Sequence, residues 1–179
     1  MAKKFSGMGS RQVALGGILA AGSLALLWLT CLAPSGRMGF TAVAGLFPMV
    51  GVLASGRAVG YLCWAAAGIL GLFLLPDKGV ALLYLVFLGL YPVVKSRIES
   101  LRCLPLEWCL KLLSFNLALS LAWFAFRGLV LPAFPSWVGD NALPLYLAGN
   151  LVFAAYDIGL SQLASAMQTR LFSHTHHKY

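Results

Sequence analysis

Long apolar runs alternate with short polar or turn-forming segments along the whole chain. The runs cover 13–33, 38–54, 58–75, 80–94, 106–131 and 142–167, and turn-forming residues occupy 34–37 and 76–79. A helix that crosses a bilayer needs about 20 apolar residues, whereas a membrane β-strand needs about ten residues of alternating character. The pattern predicts an all-α, polytopic membrane protein with six transmembrane helices in a single domain, 13–167, between tails 1–12 and 168–179.

The composition supports a membrane protein over a soluble one. Hydrophobic residues make up 60% of the chain, charged residues make up 10%, and the mean hydropathy is +0.86. Soluble domains carry about 25% charged residues. Disordered chains combine low hydrophobicity with high charge, so both of these classes are excluded.

Lysine and arginine residues fall mostly in the connections of one side. With the N-terminus in the cytoplasm, that side carries Lys3, Lys4, Arg11, Arg57, Lys95, Arg97, Arg102, Arg170 and Lys178, and the other side carries Arg37, Lys78 and Arg127. Short cytoplasmic connections are rich in Lys and Arg, so both termini are expected inside. The net charge of +8 is spread between apolar runs and not over one basic face, which predicts the lipid bilayer as a partner and no nucleic acid.

A stripe of small residues follows one face of the first predicted helix. Its members are Ala14, Gly17, Ala21 and Ala25, at steps of three, four and four. The third predicted helix has a similar stripe at Gly60, Cys63, Ala67 and Gly71. Small residues allow helices to approach closely in a membrane. Two interpretations stay open: the stripes pack against each other, or the first is a docking face for another membrane subunit.

Polar residues cluster between the fourth and fifth predicted helices, where they would form a cytoplasmic elbow. Lys95 and Glu99 are four residues apart, and so are Glu107 and Lys111, the spacing of helical ion pairs. One interpretation is a solvated elbow, in which such pairs contribute only about 0.3–0.5 kcal/mol. The other is a contact surface for a cytoplasmic or coupling partner.

Asp157 lies in the middle of the sixth predicted helix. An acidic side chain there costs roughly 2.5–3.5 kcal/mol on insertion scales, so it must be paired or protonated. Lys111 and Asn116 lie at comparable depth in the fifth helix, and the three residues are predicted to form an intramembrane polar network. The network is either a structural link, a proton or cation site, or the polar floor of a substrate pocket.

Aromatic and polar residues near the predicted outer surface are candidates for substrate binding. Trp123 and Arg127 are one helical turn apart, and a long outer connection follows them. They would cap a pocket for an aromatic or anionic small molecule, or form an interfacial belt. The candidate residues are Trp123, Arg127, Trp137, Asp140, Asn141 and Asn150.

Catalytic and metal-binding motifs are missing from the sequence. There is no nucleophile elbow, zinc-protease helix, Walker sequence or dinucleotide-binding turn. All three histidines lie in the tail, at His174, His176 and His177, where they are expected to be exposed. We therefore expect no enzyme activity, no metal site and no cofactor.

The six short helices, the cytoplasmic termini and the run Arg11 to Ala21 resemble the substrate-binding S component of an energy-coupling-factor (ECF) importer. Gly17, Ala21 and Ala25 are similar to that family's small-residue docking pattern, with glycine in place of its first alanine. The resemblance covers nearly the whole chain in topology and rests on a short motif.

The resemblance implies a multi-pass subunit of a bacterial cell membrane. It would bind a vitamin-like molecule at its outer face, associate with a transmembrane coupling subunit and two cytoplasmic ATPases, and hydrolyse nothing itself. A non-transport scaffold or partner-recognition subunit is the main alternative. A channel, a proton-coupled transporter and a membrane enzyme also stay open.

Overall fold

The computed structural model describes residues 8–33, 36–101, 103–126, 128 and 142–173, and this part of the chain contains helices and no strands. The α-helices are α1 (Ser10–Leu32), α2 (Arg37–Ala44), α3 (Leu46–Ser55), α4 (Arg57–Leu74), α5 (Lys78–Leu83), α6 (Tyr91–Ile98), α7 (Leu104–Ala125) and α8 (Ala142–Ser173). A π-helical turn, Tyr84–Leu88, follows α5, and a 3₁₀ turn, Glu99–Leu101, follows α6.

Five stretches of the described residues are long and apolar enough to cross a membrane. They are Ser10–Leu32, Arg37–Ser55, Arg57–Leu74, Lys78–Leu101 and Leu104–Ala125. This confirms the predicted class, a helical protein compatible with a membrane. The sixth predicted span lies on α8, and its crossing and the orientation of the termini stay predictions.

Large apolar side chains cover much of the outer surface of the helices. Ile18, Phe73, Phe124 and Leu151 are each at least 70% exposed. A soluble monomer rarely exposes extensive apolar surface because water penalises it. Hydrocarbon chains of a bilayer would cover these side chains without that penalty.

The second predicted helix is broken in the middle. Gly45 separates α2 from α3, and its N–H group donates to the carbonyl oxygen of Thr41. Pro48 lies in the first turn of α3, where its missing N–H group is tolerated, whereas further along a helix it would clash with the preceding turn. A side chain at Gly45 would lie 2.3 Å from the carbonyl oxygen of Leu88, so glycine also permits a close backbone approach to the π-helical turn.

The fourth predicted span is a composite element. The apolar run predicts one helix over 80–94, whereas the structure divides this stretch among α5, the π-helical turn and α6, with Pro92 in the first turn of α6. The helix continues through Lys95 to Ile98, so the predicted elbow is partly helical. Between α5 and α6, the five residues Tyr84–Leu88 form one π-helical turn, which is wider than a turn of α-helix.

Two apolar cores hold the helices together. The first joins α1, α2, α4, α5 and the π-helical turn around Leu27, Ala67 and Tyr84. The second joins α3, α6, α7 and α8 around Tyr91, Phe115 and Phe153. The π-helical turn contacts both halves, because Tyr84 belongs to the first core and Phe87 packs against the second.

Candidate functional site

A buried carboxylate on α8 joins two buried lysines from different helices. Asp157 is 2% exposed, Lys95 on α6 is 4% exposed and Lys111 on α7 is 5% exposed. The ammonium group of Lys111 lies 3.0 Å from Oδ2 of Asp157, and that of Lys95 contacts Oδ1. The pairing of Asp157 with Lys111 that the sequence predicts is therefore present.

Glu99 closes this group on its more exposed side. Its Oε1 atom lies 2.9 Å from the ammonium nitrogens of both Lys95 and Lys111, and its side chain is 41% exposed. Two positive and two negative charges thus form one neutral unit, called here the ion cluster: Lys95, Glu99, Lys111 and Asp157. Neutrality matters because an unpaired charge at this depth is strongly disfavoured.

Two neutral groups complete the hydrogen bonding of the ion cluster. The hydroxyl of Tyr91 donates to Oδ1 of Asp157 over 2.5 Å, and the ammonium group of Lys95 donates to Oγ of Ser161 over 2.8 Å. Tyr91, Lys95 and Glu99 follow each other at steps of four on one helix face, and so do Asp157 and Ser161. Within the described residues, no buried side-chain nitrogen or oxygen lacks a partner.

The ion cluster corrects two parts of the sequence interpretation. A solvated elbow does not describe Lys95, which is buried against α8. Lys111 pairs with Glu99 and Asp157 and not with Glu107, which stays half-buried on the first turn of α7. The i, i+4 pair of Lys95 and Glu99 is present, and it belongs to the same cluster as Asp157.

Asn116 does not join Asp157. Its side-chain amide donates to Oδ1 of Asn150 over 3.0 Å, and Asn150 donates back over 3.2 Å. The two asparagines form a separate polar bridge between α7 and α8. Each amide also donates to the backbone carbonyl four residues earlier, which satisfies the second N–H of that group.

An apolar cavity of about 260 Å³ lies beside these helices. Its wall is formed by α2, the end of α5, the π-helical turn, α7 and α8. The lining residues include Gly39 and Ala42 from α2, Phe87 from the π-helical turn, Ala118 from α7 and Val152 from α8. Small residues on several sides leave the space open, since larger side chains there would fill it.

An aromatic group separates the cavity from the ion cluster. Phe87 and Phe153 line the cavity. The ring of Tyr91 stacks on Phe87 with centroids 5.0 Å apart and meets Phe153 edge-on at 5.1 Å. Tyr91 therefore contacts both the cavity wall and Asp157.

Comparison of this chain with protein-family models, with curated proteins and with solved structures finds no match. The fold and the site are therefore interpreted from their own geometry. The resemblance to an ECF S component stays a proposal.

The predicted substrate-binding residues fall in different places. Trp123 is buried in the apolar core of α7 and α8, and Asn150 forms the bridge to Asn116. Their sequence neighbours Ala122 and Gly149 line the cavity. Arg127, Trp137, Asp140 and Asn141 lie outside the described residues.

The small-residue stripe of α1 faces away from the protein. Ala14, Gly17, Ala21 and Ala25 are all exposed, whereas the opposite face of α1, with Gly16 and Ala20, is buried. The stripe of α4 at Gly60, Cys63, Ala67 and Gly71 is buried. The interpretation that the two stripes pack on each other is therefore wrong for α1.

Charged and sulphur-bearing side chains in the described residues do not form a metal site. No group of three or more His, Cys, Asp or Glu residues there is arranged to hold an ion. Asp157 accepts hydrogen bonds from Lys95, Lys111 and Tyr91, so its oxygens are already occupied. The histidines of the tail lie outside the described residues.

Proposed function

We propose that this chain is an integral membrane subunit that binds a small molecule, as the S component of an ECF-type importer does. The apolar cavity beside the ion cluster is the observation that carries this proposal. Ligand pockets in proteins are concave and mostly apolar, and they often lie between the helices of a bundle. The cavity has this character, and it lies toward the end of the bundle that the charge distribution predicts to be outside.

The position of the cavity follows from the order of residues along the helices. Met38 and Gly39 line it and directly follow Arg37, which forms a 3.1 Å ion pair with Asp77 at the predicted outer end. Ala122 lines it near the end of α7, whereas Lys111 lies near the start of that helix. The cavity thus extends from the level of Phe115, one helical turn beyond Lys111, toward the predicted outer end of α7.

The ion cluster would serve this function as a fixed support. It joins α6, α7 and α8 through charged hydrogen bonds, which are stronger than neutral ones. A rigid inner half would hold the aromatic wall in place while the outer half admits a ligand.

The exposed stripe of α1 would provide the contact with a transmembrane coupling subunit. Small residues let two helix backbones approach closely, and the exposed face lets a partner reach them. The energy for transport would come from partner ATPases, and this chain would carry out no reaction itself. The location would be a cell membrane of bacterial type.

A non-transport scaffold is the second candidate function. The exposed stripe of α1 favours it equally, since a scaffold needs a docking face. A scaffold does not need a ligand cavity, so the contents of the cavity separate the two functions.

Purification of a tagged full-length chain in mild detergent from its native membranes tests this proposal. Mass spectrometry would identify the proteins that are retained and the small molecules that are extracted. We expect a membrane coupling subunit, two ATPases and one small molecule. Recovery of other membrane proteins without a small molecule would favour the scaffold and reject the importer.

A further inference from the structure

The chemistry of the cavity wall defines the class of molecule that fits it. Within the described part of the chain, the lining residues are Met, Leu, Val, Phe, Ala and Gly together with Tyr156, and none of these is charged. The hydroxyl of Tyr156 is directed to the carbonyl oxygen of Leu88, 3.5 Å away. Against these described side chains a charged ligand would lose its hydration without gaining a partner, which strongly disfavours its binding.

Among the described residues, the exposed members of the lining place the mouth of the cavity on the side of the bundle. Gly39 on α2 is exposed, and Val152 on α8 is 66% exposed. Their neighbours on the surface are also apolar, since Phe40 is 39% exposed and Leu151 is 75% exposed. Val152 follows ten residues of α8, which corresponds to roughly 15 Å of helix. This part of the mouth therefore lies along the apolar length of the helix.

The volume of the cavity and the π-helical turn in its wall support the binding of a hydrocarbon group. A dry cavity of about 150 Å³ lined by apolar side chains takes up benzene. The cavity here, at about 260 Å³, has space for a larger ring system or a short chain. The π-helical turn supplies Val86, Phe87 and Leu88 to the wall, and such turns occur frequently at functional sites.

We propose that the cavity binds an uncharged hydrocarbon ring or chain that enters sideways from the bilayer between α2 and α8. This inference rests on the proposed small-molecule-binding function and narrows its ligand to a lipid-soluble class. The sequence-based expectation of an anionic ligand would then not apply to this cavity. Two sources share the required chemistry: a free apolar molecule dissolved in the membrane, and an acyl chain of a bilayer lipid.

Photo-crosslinking of the full-length protein in phosphatidylcholine nanodiscs tests this inference. Three probes are compared: a naphthalene that carries a diazirine, a phosphatidylcholine with a diazirine on one acyl chain, and a short alkyl carboxylate with a diazirine. Mass spectrometry of peptides then maps the labelled residues. We expect labelling of α2, the π-helical turn and α8 by an uncharged probe and not by the carboxylate.

Variants that fill the cavity provide the matched comparison. Gly39→Leu and Ala42→Leu place side chains at the cavity, and a Cβ atom at Gly39 meets no atom within 4 Å. Gly159→Leu is the control, because Gly159 is an exposed helical glycine with equally open space and does not line the cavity. We expect labelling to fall by about tenfold in the first two variants, equivalent to about 1.4 kcal/mol of binding, and to stay unchanged in the control.

The outcomes separate this inference from the proposed function. Labelling by naphthalene supports the inference and identifies a free molecule as the source. Labelling by the lipid alone also supports the inference but counts against import of a free cargo. The inference is overturned if no uncharged probe labels the cavity, if the carboxylate labels it equally, or if labelling persists in both filled variants.

Discussion

Tyr91 on α6 donates its hydroxyl hydrogen to Oδ1 of Asp157 on α8, although 66 residues separate them along the chain. The same tyrosine ring stacks on Phe87 and meets Phe153 edge-on, and both phenylalanines line the cavity. One side chain thus connects the ion cluster with the wall of the cavity. The stability of the cluster and the shape of the cavity are therefore expected to depend on each other.

Replacing Asp157 with Asn removes the buried carboxylate and leaves two lysines with Glu99 alone. We expect a loss of about 3–5 kcal/mol in the free energy of unfolding, because breaking a buried pair leaves an uncompensated charge. Reversible unfolding by SDS in mixed micelles measures this loss. Unchanged stability would contradict the assignment of Asp157 as an ionised partner.

Asp77→Asn is the matched control for that substitution. Asp77 pairs with Arg37 at 3.1 Å, with side chains that are 25% and 35% exposed. An asparagine would still accept the hydrogen bond from the N–H group of Gly79, as the aspartate does. The expected loss is about 0.2–1 kcal/mol, typical of a surface pair.

Charge balance inside the ion cluster predicts a non-additive double variant. Asp157→Asn leaves an excess positive charge, and Lys111→Met leaves an excess negative charge. The double variant keeps Lys95 and Glu99 as a neutral pair. Its loss in the free energy of unfolding is therefore expected to be smaller than the sum of the two single losses by about 0.5–3 kcal/mol. The same SDS titration of all four proteins gives the coupling energy. Additive losses would mean that the residues do not act as one unit.

Tyr91→Phe removes one hydrogen bond and keeps the aromatic stacking. We expect a loss of about 1.5–3 kcal/mol, the range for hydrogen bonds to charged groups. Tyr146→Phe is the comparison, because that tyrosine shares a 2.6 Å hydrogen bond with the neutral hydroxyl of Ser120. Its expected loss is about 0.5–1.5 kcal/mol. A larger loss for Tyr146→Phe than for Tyr91→Phe would argue against a charged Asp157.

Ala21→Leu places a bulky side chain on the exposed stripe of α1. The fold should be unaffected, since Ala21 faces outward, but a partner helix could no longer approach closely. We expect co-purification of partner subunits to be lost. Ala155→Leu makes the same change at an exposed alanine of α8 and should leave the complex intact. If the Ala21→Leu variant still retained its partners, the proposal that the stripe is a docking face would be contradicted.

The sequence is sufficient for the helical class and for two pairs of the ion cluster, Lys95 with Glu99 and Lys111 with Asp157. Charged residues are so rare in the apolar runs that Asp157 had few partners within reach, and Lys111 was one of them. The contact of Lys95 with Asp157 does not follow from the sequence, because Lys95 follows a proline in the most polar segment, where a solvated helix is the simplest interpretation. Its spacing of four from Tyr91 was the signal that this face continues into the core.

The cavity and the asparagine bridge depend on tertiary packing. The spacing of residues in a single sequence does not predict such packing. Comparable depth along the helices predicts a contact of Asn116 with Asp157, whereas the helix face of Asn116 turns its side chain to Asn150. The cavity is lined by α2, which the break at Gly45 ends, and by the π-helical turn. Neither the kink nor the wide turn follows from hydrophobic periodicity, which assumes regular helices.

Native mass spectrometry of the full-length protein, released from the membranes of its host cells, tests the central claim, that this protein holds a small molecule in its cavity. The account predicts a bound small molecule at close to one per chain, retained by Gly159→Leu and lost from Gly39→Leu. A protein that carries no small molecule, or one whose bound molecule is retained when Gly39 is leucine, would contradict it.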